Sequence, residues 1–427
     1  MDFELSENGS AWRERVQAFF DTQVLPRNRE WHEHVVKRDQ PAPFMQELQR
    51  KARAQGLWNL GLPELAKGEP GTRLSNLEYA GCCEILGRVA WAPEVFNCQA
   101  PDVPNMITLQ NCANPEQKKR WLAPLLEAQT RSCFAMTEPD VASSDATNIA
   151  TTIERQGGDY VVNGLKWFST GAAHPRCTQI MLMGVTGSAK DSGKDAGMND
   201  RRDRTRRHSI VMIPMNAPGV RLVREVRWMG NRDHVAPIGE IEFKNVRVPV
   251  EDRLGEEGDG FKIAQVRLGP ARVHHCMRQI GLAGVMIELM MARAVERKAF
   301  GRAIIEYDTL QRWIAESRVE LEQAKLLTLK CAWLLDKHGH HGAWREVSLV
   351  KVAVPNMLQR VADRAIQVFG AMGGTDDAPI HYALSYARLM RIGDGPDEVH
   401  LRQIFRMETP PQWTVDASPY ITYSRHH

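Results

Sequence analysis

The segment RIGDGPDEVH, Arg391 to His400, carries three carboxylates, Asp394, Asp397 and Glu398, around a Gly-Pro break near the end of a long helical region. A carboxylate held against a weakly acidic proton can act as a general base, so the loop offers three candidates. Pro396 suits the first turn of a helix, which would place Asp397 and Glu398 at a helix N-terminus. There they complement the helix dipole, and no chemistry is needed to explain them. Asp394 precedes that turn, between Gly393 and Gly395. It is free to face a substrate while the glycines let backbone come close.

Four other segments combine chemistry-bearing residue types. In CFAMTEPDVASSDATNIATT a strand ends at Thr137 and a Glu-Pro turn leads into small hydroxyl and acidic residues. Backbone N–H groups and hydroxyls in such a turn suit a phosphate-bearing cofactor, although a Ser/Asp-rich surface loop has the same composition. GLKWFSTGA, Gly164 to Ala172, sets an aromatic plane beside two hydroxyls, which would suit a flat heterocycle; a core tryptophan is the plainer reading. ERKAFG, Glu296 to Gly301, closes a helix with two cations and a glycine, either to complement the dipole or to put Arg297 on a phosphate. QVFGAMGGTDD is a glycine-rich helix end without the GxGxxG order, and no GxxxxGK[ST] occurs. The basic run RRDRTRR, Arg201 to Arg207, reads as a solvated charge run or a phosphate contact.

These segments must be positioned by a chain of 427 residues with 43% hydrophobic content and a formal charge of +3. That is enough for a large core and gives no global case for nucleic-acid binding. The eight cysteines form no CxxC pair, which argues against a zinc cage or a disulfide framework and for a reducing, cytoplasmic compartment. The acidic start MDFELSENGS and the lack of a long apolar run suggest neither a leader nor a membrane span.

The periodicity predicts helices first. AWRERVQAFFDTQVLP should stop before Pro26, PAPFMQELQRKARAQGLWNLGLP should end in glycine-rich turns, and NPEQKKRWLAPLLEAQ should start at Pro115. From Ser132 short β-rich runs separated by Gly, Asn and Pro predict a compact, mostly antiparallel β domain, with residues 187–209 as a solvated loop. From Gly260 the pattern is helical again. A long helix ends at Lys337-His338-Gly339, and a second contains Pro355. The expected domains are 1–131 helical, 132–259 β, and 260–427 a helical bundle with a short tail.

In this order the segments resemble the acyl-CoA dehydrogenase family of flavoproteins, over the chain from its first helices to about Met407. The wording of TEPDVASSDAT, RLGPARVHHCMR, WIAESR and DGPDEVHL is closest to the branch of family members ten and eleven. The resemblance implies an α+β fold: a helical N-terminal domain, a middle β-barrel domain and a C-terminal four-helix bundle. It implies FAD as cofactor. Phe134, Met136, Thr137 and Ser143 would lie near the flavin on one side, with Trp167, Ser169 and Thr170 on the other; Pro396 and Glu398 would also contact the cofactor. Arg297, Phe300, Gln367 and Gly370 would hold the diphosphate or adenine of a neighbouring subunit's FAD, so at least a homodimer is implied, dimer or tetramer. Ser144, Gly269, Pro270, Arg272 and Gly395 would approach the acyl-CoA, and an electron-transfer flavoprotein would accept the electrons. The usual TEPGAGSD is here TEPDVASSD, and most relatives have Glu where this sequence has Asp394.

The implied reaction is α,β-dehydrogenation of an acyl-CoA thioester, a step of fatty acid catabolism of the β-oxidation type. Asp394 would take the α-proton and flavin N5 the β-hydrogen as hydride. In a dry site the carboxyl pKa should rise toward the working pH. Asp is shorter than Glu by one methylene, roughly 1.3–1.5 Å of reach, so the pocket must bring substrate closer or admit a substituent near the α-carbon. Two other readings follow from the resemblance: processing of a 4-hydroxy- or 4-phosphoryloxyacyl-CoA on the same scaffold, and a nucleic-acid-binding flavoprotein, supported only by the basic run 201–207.

Overall fold

The computed structural model describes residues 6–186 and 207–409, with residues 268–270 described as helical backbone only. Gly269 and Pro270 fall among the latter, so their surroundings lie outside the described residues, as do most of the loop 187–209 and the basic run within it.

The chain opens with α1 (Glu7–Phe19), α2 (Met45–Ala54), α3 (Asn76–Leu86) and α4 (Asp102–Cys112), linked by shorter helical turns. Ser75 caps α3 by a reciprocal box: its hydroxyl accepts from the Glu78 N–H at 3.2 Å, and the Glu78 carboxylate accepts from the Ser75 N–H at 2.9 Å. The stop expected before Pro26 does not occur. After α1 the chain widens over Phe20–Val24, then tightens over Leu25–Arg27. Pro26 sits in the first turn of that new segment, where its missing N–H breaks no bond. Pro115 does open a short helix, capped by Asn114.

The middle of the chain forms one eight-stranded sheet: β1 (Arg131–Ala135), β2 (Thr152–Gln156), β3 (Asp159–Ser169), β4 (Cys177–Thr186), β5 (His208–Pro214), β6 (Val220–Val226), β7 (Ile238–Pro249) and β8 (Arg253–Leu254). The order is β6-β7-β3-β2-β4-β5-β8, with β1 beside β4. Pairing is antiparallel except for β1–β4 and β2–β4. Alternation sets its faces. Cys133, Ile180, Leu182 and Val211 pack on one side, while Phe134, Met181, Met183 and Ile210 join the core shared with the helices.

The bundle comprises α5 (Gly260–Glu296), α6 (Asp308–Gly342), α7 (Trp344–Phe369), α8 (Ile380–Met390) and α9 (Asp397–Glu408), with a hairpin β9 (Lys298–Ala299) and β10 (Arg302–Ala303) between α5 and α6. Gly339 takes φ 66 inside α6, so the expected stop is a kink after which one helical turn resumes. Pro355 lies within α7. The N-terminal helices lock onto α5 at glycines. A Cβ at Gly281 would fall 1.9 Å from the Glu84 carbonyl oxygen, and one at Gly87 would fall 2.1 Å from that of Arg278. Only glycine permits this crossing, which packs the middle of α5 closely against α3. Among the described residues no helix is long and apolar enough to cross a membrane.

Candidate active site

The turn from α8 to α9 is the acidic loop. Asp394 is half-buried and left-handed, with φ 56, followed by Gly395 at φ 100. Asp adopts this region more readily than most residues, at a cost of about 1–2 kcal/mol that the surroundings must supply. They do so through its carbonyl. The Asp394 oxygen accepts from Arg272 Nε at 3.2 Å and Nη2 at 3.0 Å, and lies 3.3 Å from His400 Nε2.

One stripe of α7 carries the rest of the loop. The fully buried Lys351 ammonium donates to the Met390 carbonyl and reaches the Gly395 carbonyl at 3.5 Å. Asn356 Nδ2 donates to Asp397 Oδ2 at 3.0 Å, and Gln359 Oε1 accepts from Arg391 Nη1 at 3.0 Å. Ser348 meets His400. Sequence reasoning read α7 as a long helix with a functional residue only at Gln367 near its end. The missed signal is Ser348, Lys351, Asn356 and Gln359, polar residues recurring at helical spacing on one face of an otherwise apolar run.

Asp397 is buried, and its Oδ2 accepts from Arg391 Nε at 2.7 Å. The helix-dipole role expected for it is therefore secondary to an ion pair that staples the loop. Pro396, expected in the first helical turn, is instead the residue before it, with ψ 161. Glu398 is exposed in the first turn of α9.

The expectation that the Asp394 carboxyl would titrate high is overturned. Burial pushes its pKa up, but His275, Lys351, Arg267 and Arg272 together outweigh burial and hold the group below the ordinary carboxylate range. His275 is itself pulled down to about 4 by burial and lies 3.3 Å from the Tyr386 hydroxyl through Nδ1. Arg267 is pulled down to about 10 by burial, with Asp394 opposing. Sequence reasoning missed Arg267 and His275, because their convergence depends on how α5 meets the loop.

Arg267 joins the loop to the sheet. Its guanidinium lies 4.2 Å over the Phe134 ring of β1, and its Nε donates to Asn105 Oδ1 of α4 at 2.9 Å. Beyond Phe134, Met136 and Thr137 are half-buried, and the Thr137 carbonyl accepts from the Trp167 N–H at 3.0 Å. The fully buried Lys166 fixes this junction, donating to the Met136 carbonyl and to Glu138 Oε1, both at 2.8 Å. Burial pulls Lys166 to about 8 despite Glu138; burial also opposes the Glu138 charge, yet Lys166 and the N–H groups of Ala150 and Thr151 keep that carboxyl low. Ser143 is engaged inside the turn, accepting from the Glu138 N–H at 3.0 Å, whereas Ser144 is exposed.

The register of β3 on β7 shifts between Lys166 and Ser169, with Phe168 at φ 48. Such a bulge re-aims side chains. Trp167 and Thr170 are half-buried, and Ser169 Oγ is buried with no protein partner. An orphaned hydroxyl beside an aromatic plane is what a ligand-supplied partner would complete, so these residues fit a flavin ring.

The remaining predicted residues lie elsewhere. Arg297 caps the far end of α5, Phe300 is 98% exposed at the hairpin tip, and Gln367 and Gly370 are exposed at the end of α7. Arg293 over Phe369 at 5.6 Å ties the two helix ends together. Arg297 is roughly 37 Å along the helix from Arg272, at about 1.5 Å per residue. One chain thus presents two clusters, one along the N-terminal half of α5 and one at its C-terminal end.

Comparison with known proteins gives a consistent match. Residues 6–129, 133–246 and 258–408 match, in order, the acyl-CoA dehydrogenase N-terminal, middle and C-terminal domains. The Mycobacterium tuberculosis protein FadE2, named as an acyl-CoA dehydrogenase, is 44% identical over 413 residues, covering 96% of this chain and 97% of the relative. Acyl-CoA dehydrogenase family member 11 of Gallus gallus is 44% identical, covering 95% of this chain but 51% of the relative; the chain spans about half the length of that relative. A solved acyl-CoA dehydrogenase structure from Mycobacterium abscessus superposes with TM-score 0.87 at 43% identity, covering 95% of this chain and 99% of that one.

Proposed function

The chain belongs to the acyl-CoA dehydrogenase family, and from that premise we propose that it oxidises an acyl-CoA thioester between Cα and Cβ, with Asp394 as the base. The observation that carries this reading is Arg267, which touches the flavin-side strand at Phe134 and acts on the charge of Asp394. The base and the cofactor strands therefore meet across one residue. Asp394 takes the α-proton. The clamp on its carbonyl by Arg272 holds its left-handed backbone while Gly395 leaves room beside it. Nearby cations keep the carboxylate ionised and favour the enolate-like charge that forms as the proton leaves.

FAD would supply the acceptor for the β-hydrogen, taken as hydride. Thr137, Trp167, Ser169 and Thr170 would hold its ring, with Phe134, Met136 and Ser143 behind. Arg297, Phe300, Gln367 and Gly370 would serve the FAD of a second subunit, because the length of α5 removes them from their own chain's site. A homodimer or a dimer of dimers follows, with an electron-transfer flavoprotein as acceptor. We retain domain limits of 1–131, 132–259 and 260–427.

Arg267 also favours a second reading, a substrate substituted at C4 with a hydroxyl or phosphoryloxy group. It is a buried cation whose hydrogen bond goes to a neutral amide, and among the described residues it forms no ion pair. Asp394 acts on its charge without an ion-pair contact, which leaves the guanidinium to be met directly by an anion of the substrate. The test is anaerobic flavin bleaching by plain, 4-hydroxy and 4-phosphoryloxy acyl-CoA of equal length, with wild type and Arg267→Gln. Loss confined to the 4-phosphoryloxy compound in the variant supports the second reading, and equal loss on all three rejects it. No bleaching by any acyl-CoA would reject dehydrogenation itself.

A further inference from the structure

The Asp394 carbonyl has a second partner beside Arg272. His400 is 4% exposed, in the first turns of α9, and its Nε2 lies 3.3 Å from the Asp394 carbonyl oxygen. Its Nδ1 lies 3.4 Å from the Ser348 hydroxyl, which is 2% exposed on α7. The ring is also tight against the loop. A Cβ added at Gly395 would fall 2.9 Å from Nε2. Gly395 is thus required twice, by its left-handed φ and by the imidazole beside it.

A carbonyl oxygen only accepts, so Nε2 must carry a proton for this contact to be a hydrogen bond. Burial, with Arg272 and Lys351 nearby, pulls His400 down to about 4, so at neutral pH the ring holds a single proton. Left alone, that proton could sit on either nitrogen. The carbonyl removes the choice: only an Nε2–H can bond it, and the Ser348 hydroxyl, able to donate or accept, then donates to Nδ1.

We propose that His400 is a positioning residue for the base: Ser348, donating to Nδ1, orients the ring, and the Nε2–H, with Arg272, pins the Asp394 carbonyl so that the carboxylate is held in its left-handed, reactive placement. The inference rests on Asp394 being the base. His400 does not touch the reacting atoms. It acts on the peptide that carries them, and the pull on the carbonyl is transmitted to the side chain through a single residue flanked by flexible glycines.

The test uses FAD-loaded full-length protein and three variants. His400→Phe keeps the ring and loses both nitrogens. His400→Gln restores an N–H donor near the Nε2 position. Ser348→Ala keeps His400 and removes the Nδ1 partner that orients its ring. Single-turnover flavin reduction by a saturating acyl-CoA gives the rate constant, and a substrate titration gives the dissociation constant separately. The expected result is a rate constant lowered about ten- to a hundred-fold in His400→Phe, as misplacement of a base by a fraction of an ångström to an ångström costs. FAD content and substrate dissociation constant should stay within about two-fold, His400→Gln should recover most of the rate, and Ser348→Ala should fall between. If His400→Phe does not fold, Ser348→Ala and His400→Gln decide between them. Wild-type reduction by Ser348→Ala, or a His400→Gln variant no better than His400→Phe, overturns the proposal by reducing the pair to packing. If Asp394→Asn in parallel reduces flavin normally, the assignment of the base fails first, and the two failures remain distinct.

Discussion

Asp397→Asn separates the structural carboxylate of the loop from the chemical one. The Asp397 carboxylate is buried and accepts from Arg391 Nε at 2.7 Å and Asn356 Nδ2 at 3.0 Å, closing the turn from the α9 side. A hydrogen bond to a charged group contributes about 1.5–3 kcal/mol. The Arg391 side chain is 29% exposed, so water compensates part of the loss and the lower end of that range, about 1.5 kcal/mol, applies. Since about 1.4 kcal/mol is a factor of ten, the turn should open about ten times more often. The loop is still held by Arg272, Lys351 and His400, so chemistry should slow only a few-fold. Hydrogen exchange across residues 391–397 reads the opening, and stopped-flow flavin reduction reads the chemistry. The expected pattern is exchange about ten-fold faster with near-normal reduction. Unchanged exchange with a loss of reduction as deep as that of Asp394→Asn would refute the reasoning and make Asp397 the base.

Further predictions concern charge and the second cluster. Cations hold the Asp394 carboxyl low, so kcat/KM should stay flat as pH falls to about 4, the ordinary carboxylate value. Removing a cation destabilises the anion, so in Arg267→Gln the acidic limb should move to higher pH; a limb that does not move, or moves down, would show that Arg267 does not act on Asp394. Arg297→Ala should weaken FAD retention without altering the far-UV spectrum, because Arg297 is exposed at the end of α5; unchanged FAD occupancy would remove it from the cofactor site. Lys166→Met should leave Glu138 buried without its cation at the Thr137–Trp167 junction, costing about 3–5 kcal/mol if the protein folds and loosening FAD; a variant as stable as wild type would contradict the role given to that pair.

Much of this was legible before any coordinates, for physical reasons. Helical periodicity in α6, the short apolar β-rich runs of β4 and β5, and the texture changes near Ser132 and Gly260 are local patterns, and burial follows them. The loop could be narrowed to Asp394 because flanking glycines and Pro396 constrain the backbone locally. The failures are of a different kind. Pro26 was read as a stop, yet a proline in a first turn is tolerated, and the sequence does not show where a turn restarts. The Asp394 titration was expected to shift upward from burial alone. Its direction is set by cations from α5 and α7, up to 127 positions away at Arg267, and only packing reveals their convergence. The Lys166–Glu138 and Arg267–Asn105 contacts were invisible for the same reason. The α7 stripe was readable in principle, because four polar residues on one face of a buried helix need partners.

The central claim, that Asp394 removes the α-proton, is tested most directly by Asp394→Asn in the FAD-loaded protein, mixed anaerobically with a saturating acyl-CoA. The amide keeps the shape of the side chain and leaves the carbonyl clamp intact, while removing the base. The account predicts normal FAD content, acyl-CoA binding seen as a perturbed flavin spectrum, and bleaching slowed by about 10²–10⁴-fold. Bleaching at the wild-type rate would contradict it.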